Sequence, residues 1–159
     1  QHGIQTYTRP QLKCDTLFDQ LINAGKRIAI LAMEDSTFLH IFKGRKLDYF
    51  VAKNALEIKE KAIQLIETDQ YDVISIHTFE YDNAAHAFGP ESKQALNAIS
   101  MEAETFSEIV QNLQKFANKH HILYSYSPDH GQHITDGGTG AHGSKMIEDM
   151  NVLHFFGTI

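Results

Sequence analysis

The chain has 159 residues, of which 42% are hydrophobic and 21% charged, and a formal net charge of −6. This composition excludes disorder and low complexity, the length predicts one domain with room for a core, and no apolar run approaches the roughly 20 residues of a membrane helix. The acidic balance argues against a general binder of nucleic-acid polymers, which needs a basic face, and a lone cysteine, Cys14, excludes an internal disulfide or a cysteine-cluster metal site.

Asp15 or Thr16 opens a short helix with Leu17, Phe18, Leu21 and Ile22 on one face and Gly25 as its stop. The apolar run at 28–32 then reads as a buried parallel strand. Residues 36–43 form a helical turn and 47–51 a short strand. The spacing predicts an amphipathic helix over 54–68, with Ile58, Ala62, Ile63, Leu65 and Ile66 on the packed side. A second buried strand follows at 71–77, and then a polar stretch from 78 to 92. A long helix spans about 92–118, packed through Leu96, Ile99, Ala103, Phe106, Val110, Leu113 and Ala117. Residues 122–126 form a third strand, which runs into a glycine-rich loop reaching to about 151. A last strand lies at 152–156.

Strands alternating with helices predict an α/β fold with a mostly parallel sheet flanked by helices. With no repeat or linker, the expectation is a single domain over 1–159. Ligands of such sheets bind beyond the carboxyl ends of strands. The two polar loops that directly follow strands, 78–92 and 127–150, are therefore where a site is expected.

The first loop holds Asp82 and His86, four residues apart. On one helical turn, carboxylate and imidazole share a face and can share a cation. Ala84 and Ala85 between them permit close packing. The second loop begins Ser127-Pro128-Asp129-His130-Gly131, where Pro128 ends the strand and leaves Asp129 and His130 at its tip. Its later part, 137–143, places glycines on both sides of His142, as expected of a backbone bent to aim one imidazole. Each feature alone has a plainer reading: a solvated pair, a polar turn with an Asp bonded to its own backbone, a mobile loop. Together they place two carboxylates and three imidazoles past strand ends. All five suit Zn²⁺, and five exceed the needs of one tetrahedral site, so a two-metal centre follows. Paired metals stabilise the attacking and leaving oxygens of an in-line displacement at phosphorus.

The ordered set resembles the alkaline phosphatase superfamily, and in particular its nucleotide pyrophosphatase/phosphodiesterase branch. The Asp-x-x-x-His pair with a following Gly-Pro is matched by Asp82, His86, Gly89 and Pro90. The Ser-Asp-His-Gly element is matched by Asp129, His130 and Gly131, with Pro128 inserted after Ser127, and the later His-Gly by His142 and Gly143. The resemblance implies an alkaline-phosphatase-like core and a metal-dependent phosphoester hydrolase, of phosphodiesterase, nucleotide pyrophosphatase or phosphatase type. It implies that Asp82, His86 and His142 hold the metal that activates water, and that Asp129 and His130 belong to a second. The metals would be zinc, with manganese in some relatives. The substrate would be a small phosphoester or nucleotide, cleaved through a phospho-Thr or phospho-Ser intermediate.

One departure is serious. In that branch the nucleophile and another metal-binding Asp lie upstream of a His-Gly-Ile element, and here His2-Gly3-Ile4 opens the chain. The expectation is a chain truncated at its amino end with the nucleophile upstream, or a degenerate, non-catalytic relative with at most one metal site. Thr6, Thr8, Ser36 and Thr139 do not match the nucleophile motif by position. No sulfatase Cys/Ser-x-Pro-x-Arg context is present, though it too would lie upstream. Phosphosugar mutases carry different elements around a large inserted domain, for which 159 residues leave little room. His133 and Asp136, beside the glycine loop, are candidates for outer-sphere or substrate contacts. His40, His77 and His154 read as core or rim groups, and His120 and His121 as the end of the long helix.

Overall fold

The computed structural model describes residue 4, residues 11–143 and residues 145–159. His2, Gly3, Thr6 and Thr8 lie outside the described residues. The chain divides into two compact units, the first ending at Thr78 and the second running from Phe79 to Ile159.

In the first unit the elements are α1 (Leu17–Asn23), β1 (Ile28–Met33), α2 (Thr37–Ile41), β2 (Asp48–Ala52), α3 (Ala55–Thr68) and β3 (Val73–His77). Thr16 opens α1 with a reciprocal capping box to Asp19. The Arg45 guanidinium reaches both oxygens of that carboxylate at 2.9 Å. The apolar run Ile28–Met33 is buried at all six positions because it is the middle strand of a parallel sheet ordered β2-β1-β3. Ile30 pairs with Tyr49 on one side and Ser75 on the other.

Helix α3 begins at Asn54, whose side chain accepts from the Glu57 N–H, and ends at Asp69 in the left-handed region. Its buried face is Ala55, Ile58, Ala62, Leu65 and Ile66, close to the predicted stripe. It packs on all three strands of the sheet. Ser36 caps α2 and is only 2% exposed. Its hydroxyl lies 3.0 Å from Nδ1 of His77, whose ring stacks on Phe38. Both residues are thus committed inside this unit, in keeping with a structural reading of His77.

The second unit holds α4 (Glu80–Phe88), α5 (Lys93–Leu113), a 3₁₀ turn (Gln114–Phe116), β4 (Leu123–Tyr126), β5 (His133–Ile134), β6 (Gly140–Ala141), α6 (Ile147–Met150) and β7 (Phe155–Thr158). The polar stretch after β3 is therefore mostly helix. Helix α4 has no side-chain cap of its own at Phe79. Instead the buried Glu102 of α5 accepts from the Glu80 N–H at 3.2 Å. α4 and α5 pack together, and each contributes a fully buried alanine, Ala85 and Ala95.

Three expectations change. The packed stripe of α5 is Ala95, Glu102 and Ile109, while Leu96 and Ile99 are exposed. α4 packs against this helix, and the buried face is set by that neighbour rather than by the apolar spacing. The helix also stops at Leu113, short of 118. Lastly, β4 does not extend the parallel sheet. It pairs antiparallel with β7, Tyr124 opposite Gly157, and the last strand sits at 155–158 rather than 152–156. A parallel return needs a crossover, usually a helix of some length. The segment between β4 and β7 is instead spent on a short hairpin, β5 with β6, and one helical turn.

Because Ile58 is fully buried, Ile58→Ala should destabilise the first unit by about 2–5 kcal/mol in urea unfolding. Leu56→Ala, on the same helix but 60% exposed, should stay within about 0.5 kcal/mol of the parent. Equal losses would contradict the assigned face.

Candidate metal centre

Asp82 and His86 lie one turn apart on α4, and the Asp82 Oδ1 to His86 Nε2 distance is 3.4 Å. The second contributor is the segment after β4. It bends at Asp129 and carries His130 inward, with 26% of its side chain exposed. The third is the end of the β5–β6 hairpin. Strand β6 packs against α4, and His142 follows it directly. His142 Nε2 stands 3.6 Å from the same Asp82 oxygen. Ligand atoms of Asp82, His130 and His142 all lie within 4.8 Å of one another. The rings of His130 and His142 stack at 3.7 Å, and that of His86 is 5.0 Å from His142.

Two glycines make this approach possible. Gly140 abuts α4 so closely that a Cβ there would lie 2.6 Å from the Ala85 carbonyl oxygen. Its own carbonyl then receives the His86 Nδ1–H at 2.9 Å. Gly89 ends α4 with φ +93 and faces the Gly138 carbonyl, where a Cβ would clash.

The histidine tautomers follow from these contacts. His86 Nδ1 faces the Gly140 carbonyl, and His130 Nδ1 faces the Gly131 carbonyl, both at 2.9 Å. A carbonyl only accepts, so both rings carry their proton on Nδ1. In the neutral rings the Nε2 lone pair is left available. A backbone carbonyl on the far nitrogen is the usual way a metal-binding imidazole is oriented. Burial pushes the His142 imidazole below its ordinary value, and the neighbouring His130 adds to this; Asp82 pulls the other way. A neutral imidazole is the ligating form. The donor set, imidazole nitrogen and carboxylate oxygen with no thiolate, fits a borderline dication such as zinc or a close relative.

Of the other expected residues, Asp129 sits at the rim, its side chain 76% exposed. One of its oxygens accepts from the His130 backbone N–H at 3.1 Å, and the other is 3.7 Å from His130 Nε2. The geometry thus draws His130 toward Asp82 and His142, with Asp129 outside that group. His133 points its Nδ1 at Asp149, 2.8 Å away and 1% exposed. Asp136 is exposed in the hairpin turn. Thr139 bonds Thr135 across that turn at 3.0 Å.

Two residues escaped sequence reasoning. Asp149 accepts from Gly131 through its backbone carbonyl at 2.8 Å, and so ties the His130 segment to α6. Gln132 is 8% exposed, and its amide donates to the Asp82 carboxylate. Its only signal in the sequence is its spacing of two from His130, which puts both on one side of an extended segment. Asp149 has no comparable signal.

No family model and no curated protein matches the chain. A solved structure does: a phosphoglycerate mutase from Leishmania mexicana, crystallised at low cobalt concentration, with a TM-score of 0.58 at 14% identity. The match covers 77% of this chain and 26% of the mutase, so the chain spans about a quarter of that protein's length. The likeness establishes the fold: an α/β architecture of alkaline-phosphatase type, with a three-stranded parallel sheet flanked by helices.

In the metal-free protein, His142 should titrate below 6.5 when its ring protons are followed by NMR. A lowered folded-state value means that the unfolded chain binds the proton more tightly. The associated stability is then complete above about pH 6.5 and is lost as pH falls through the folded value. A His142 value above 6.5 would contradict the desolvated, imidazole-crowded setting.

Proposed function

We propose that this chain carries the metal site of a phosphoryl-transfer enzyme. Within that class, the reading is a zinc-dependent phosphoester hydrolase of the nucleotide pyrophosphatase/phosphodiesterase type, acting through a Thr or Ser nucleophile. The observation behind it is the convergence of Asp82, His130 and His142 within 4.8 Å, in a chain whose fold is of alkaline-phosphatase type.

Asp82, His130 and His142 would hold one cation, with His86 beside them. Asp129, exposed at the rim, would face any second ion. Bound there, a dication would polarise a phosphoryl oxygen and lower the pKa of a coordinated water. The chain's own part is orientation. The Gly140 and Gly131 carbonyls hold two rings with Nε2 outward. Neutral His142 offers a lone pair without first losing a proton.

Mutase chemistry is a second reading, favoured by the fold likeness to a phosphoglycerate mutase. Both readings share the metal site and differ in the fate of the phosphoryl group, which passes to water in one and to a second hydroxyl in the other. A third reading is a relative that retains the fold and at most one ion without turnover.

His142→Ala should weaken zinc binding by at least tenfold in a chelator-competition titration, since a triad becomes a pair. Unchanged affinity would remove His142 from the site. Nitrophenyl phosphodiester and monoester hydrolysis abolished by EDTA supports the hydrolase. Phosphoglycerate isomerisation without release of phosphate would favour the mutase instead. Zinc binding with neither activity would leave the non-catalytic reading.

A further inference from the structure

From the buried contacts beneath the cluster we infer that Gln132 is a positioning residue for Asp82, holding that carboxylate in the orientation in which it receives a divalent cation. The inference rests on the metal-site reading above and extends it to a residue that coordinates nothing itself.

Gln132 lies between the two arms of the site. It follows His130 and Gly131 and immediately precedes β5. Its Nε2 donates to Asp82 Oδ1 and also lies 3.5 Å from the Asp82 backbone carbonyl. Both partners only accept, so the NH₂ end of the amide must face Asp82, whichever way the group is otherwise drawn. One side chain from the hairpin segment thereby grips both the carboxylate and the backbone of one α4 residue. The oxygen it holds, Oδ1, is the one that stands 3.4 Å from His86 Nε2 and 3.6 Å from His142 Nε2.

Packing alone does not account for an amide at this place. Gln132 is 8% exposed, and its Oε1 is buried with no hydrogen-bond partner among the described residues. A buried acceptor left unpaired is a standing cost to the fold, and an apolar side chain of the same length would avoid it. The opposite wall is cut to admit the group: a Cβ at Gly140 would lie even closer to Gln132 Oε1 than to the Ala85 carbonyl. What the amide supplies in return is its donor end, committed to a candidate metal ligand. Without that hydrogen bond, the carboxylate regains rotation about its side-chain torsions, and ion capture must supply the ordering. The hydrogen bond also leaves the other carboxylate oxygen, Oδ2, unclaimed by Gln132.

The test uses the full 159-residue chain with Zn²⁺ alone as the probe. Gln132→Met keeps the length and apolar stem and removes the donor. The expected result is zinc affinity weaker by about tenfold to a hundredfold, with the melting temperature in excess EDTA at or above the parent value, since the unpaired acceptor is gone as well. A purely structural role would give the reverse, a lower EDTA melting temperature with zinc affinity unchanged, and would overturn the inference. If the parent itself binds no zinc, the metal-site reading fails and this inference falls with it; a parent that binds and a Gln132→Met chain that binds equally well overturn this inference alone. Should the variant not fold, the parent's Gln132 side-chain amide resonances decide. They should be displaced and protected from exchange, and should shift again on adding zinc; resonances like those of an exposed glutamine, indifferent to zinc, would overturn the assignment.

Discussion

One carboxylate oxygen, Oδ1 of Asp82, faces two imidazole nitrogens and one side-chain amide. His86 and His130 spend Nδ1–H on backbone carbonyls, and desolvation beside other imidazoles keeps His142 toward its neutral form. The remaining lone pairs converge beside an anion. Such a constellation is poorly matched to water and well matched to a cation. The features nearby serve this convergence: an alanine and a glycine bring β6 against α4, and a carboxylate of α5 caps α4 where its own sequence supplies no cap.

Much of this was legible in the sequence where local periodicity carries the information. The apolar strand over 28–32, which runs one residue further in the structure, the α3 stripe with its Asn54 start, and the one-turn spacing of Asp82 and His86 are statements about neighbours along the chain. The structure realises each of them. The glycine-flanked His142 was legible for a related reason, since glycine marks places where backbone must pass close to something.

What stayed hidden depends on distant partners. Nothing near Glu102 says that it will cap another helix, and nothing near Leu96 says that it will face solvent; both outcomes follow from where α4 lies. The antiparallel return of β7 is a property of the whole connection from 127 to 154, which periodicity does not address. The division of the histidines was equally opaque. Order along the chain groups Asp129 with His130, whereas space groups His130 with Asp82 and His142 and leaves Asp129 exposed.

The cluster joins residues far apart in the chain, since Gln132 meets Asp82 across 50 positions and His86 meets Gly140 across 54. An ion gripping both arms would act as a clasp, closing a long loop that the unfolded chain would otherwise explore at modest entropic advantage. The hairpin from His133 to Ala141 has only two short paired strands of its own, too little for independent persistence in water. Were an ion held there, its binding and the order of that hairpin would be thermodynamically linked: whatever frayed the ribbon would loosen the clasp, and whatever filled the clasp would quiet the ribbon.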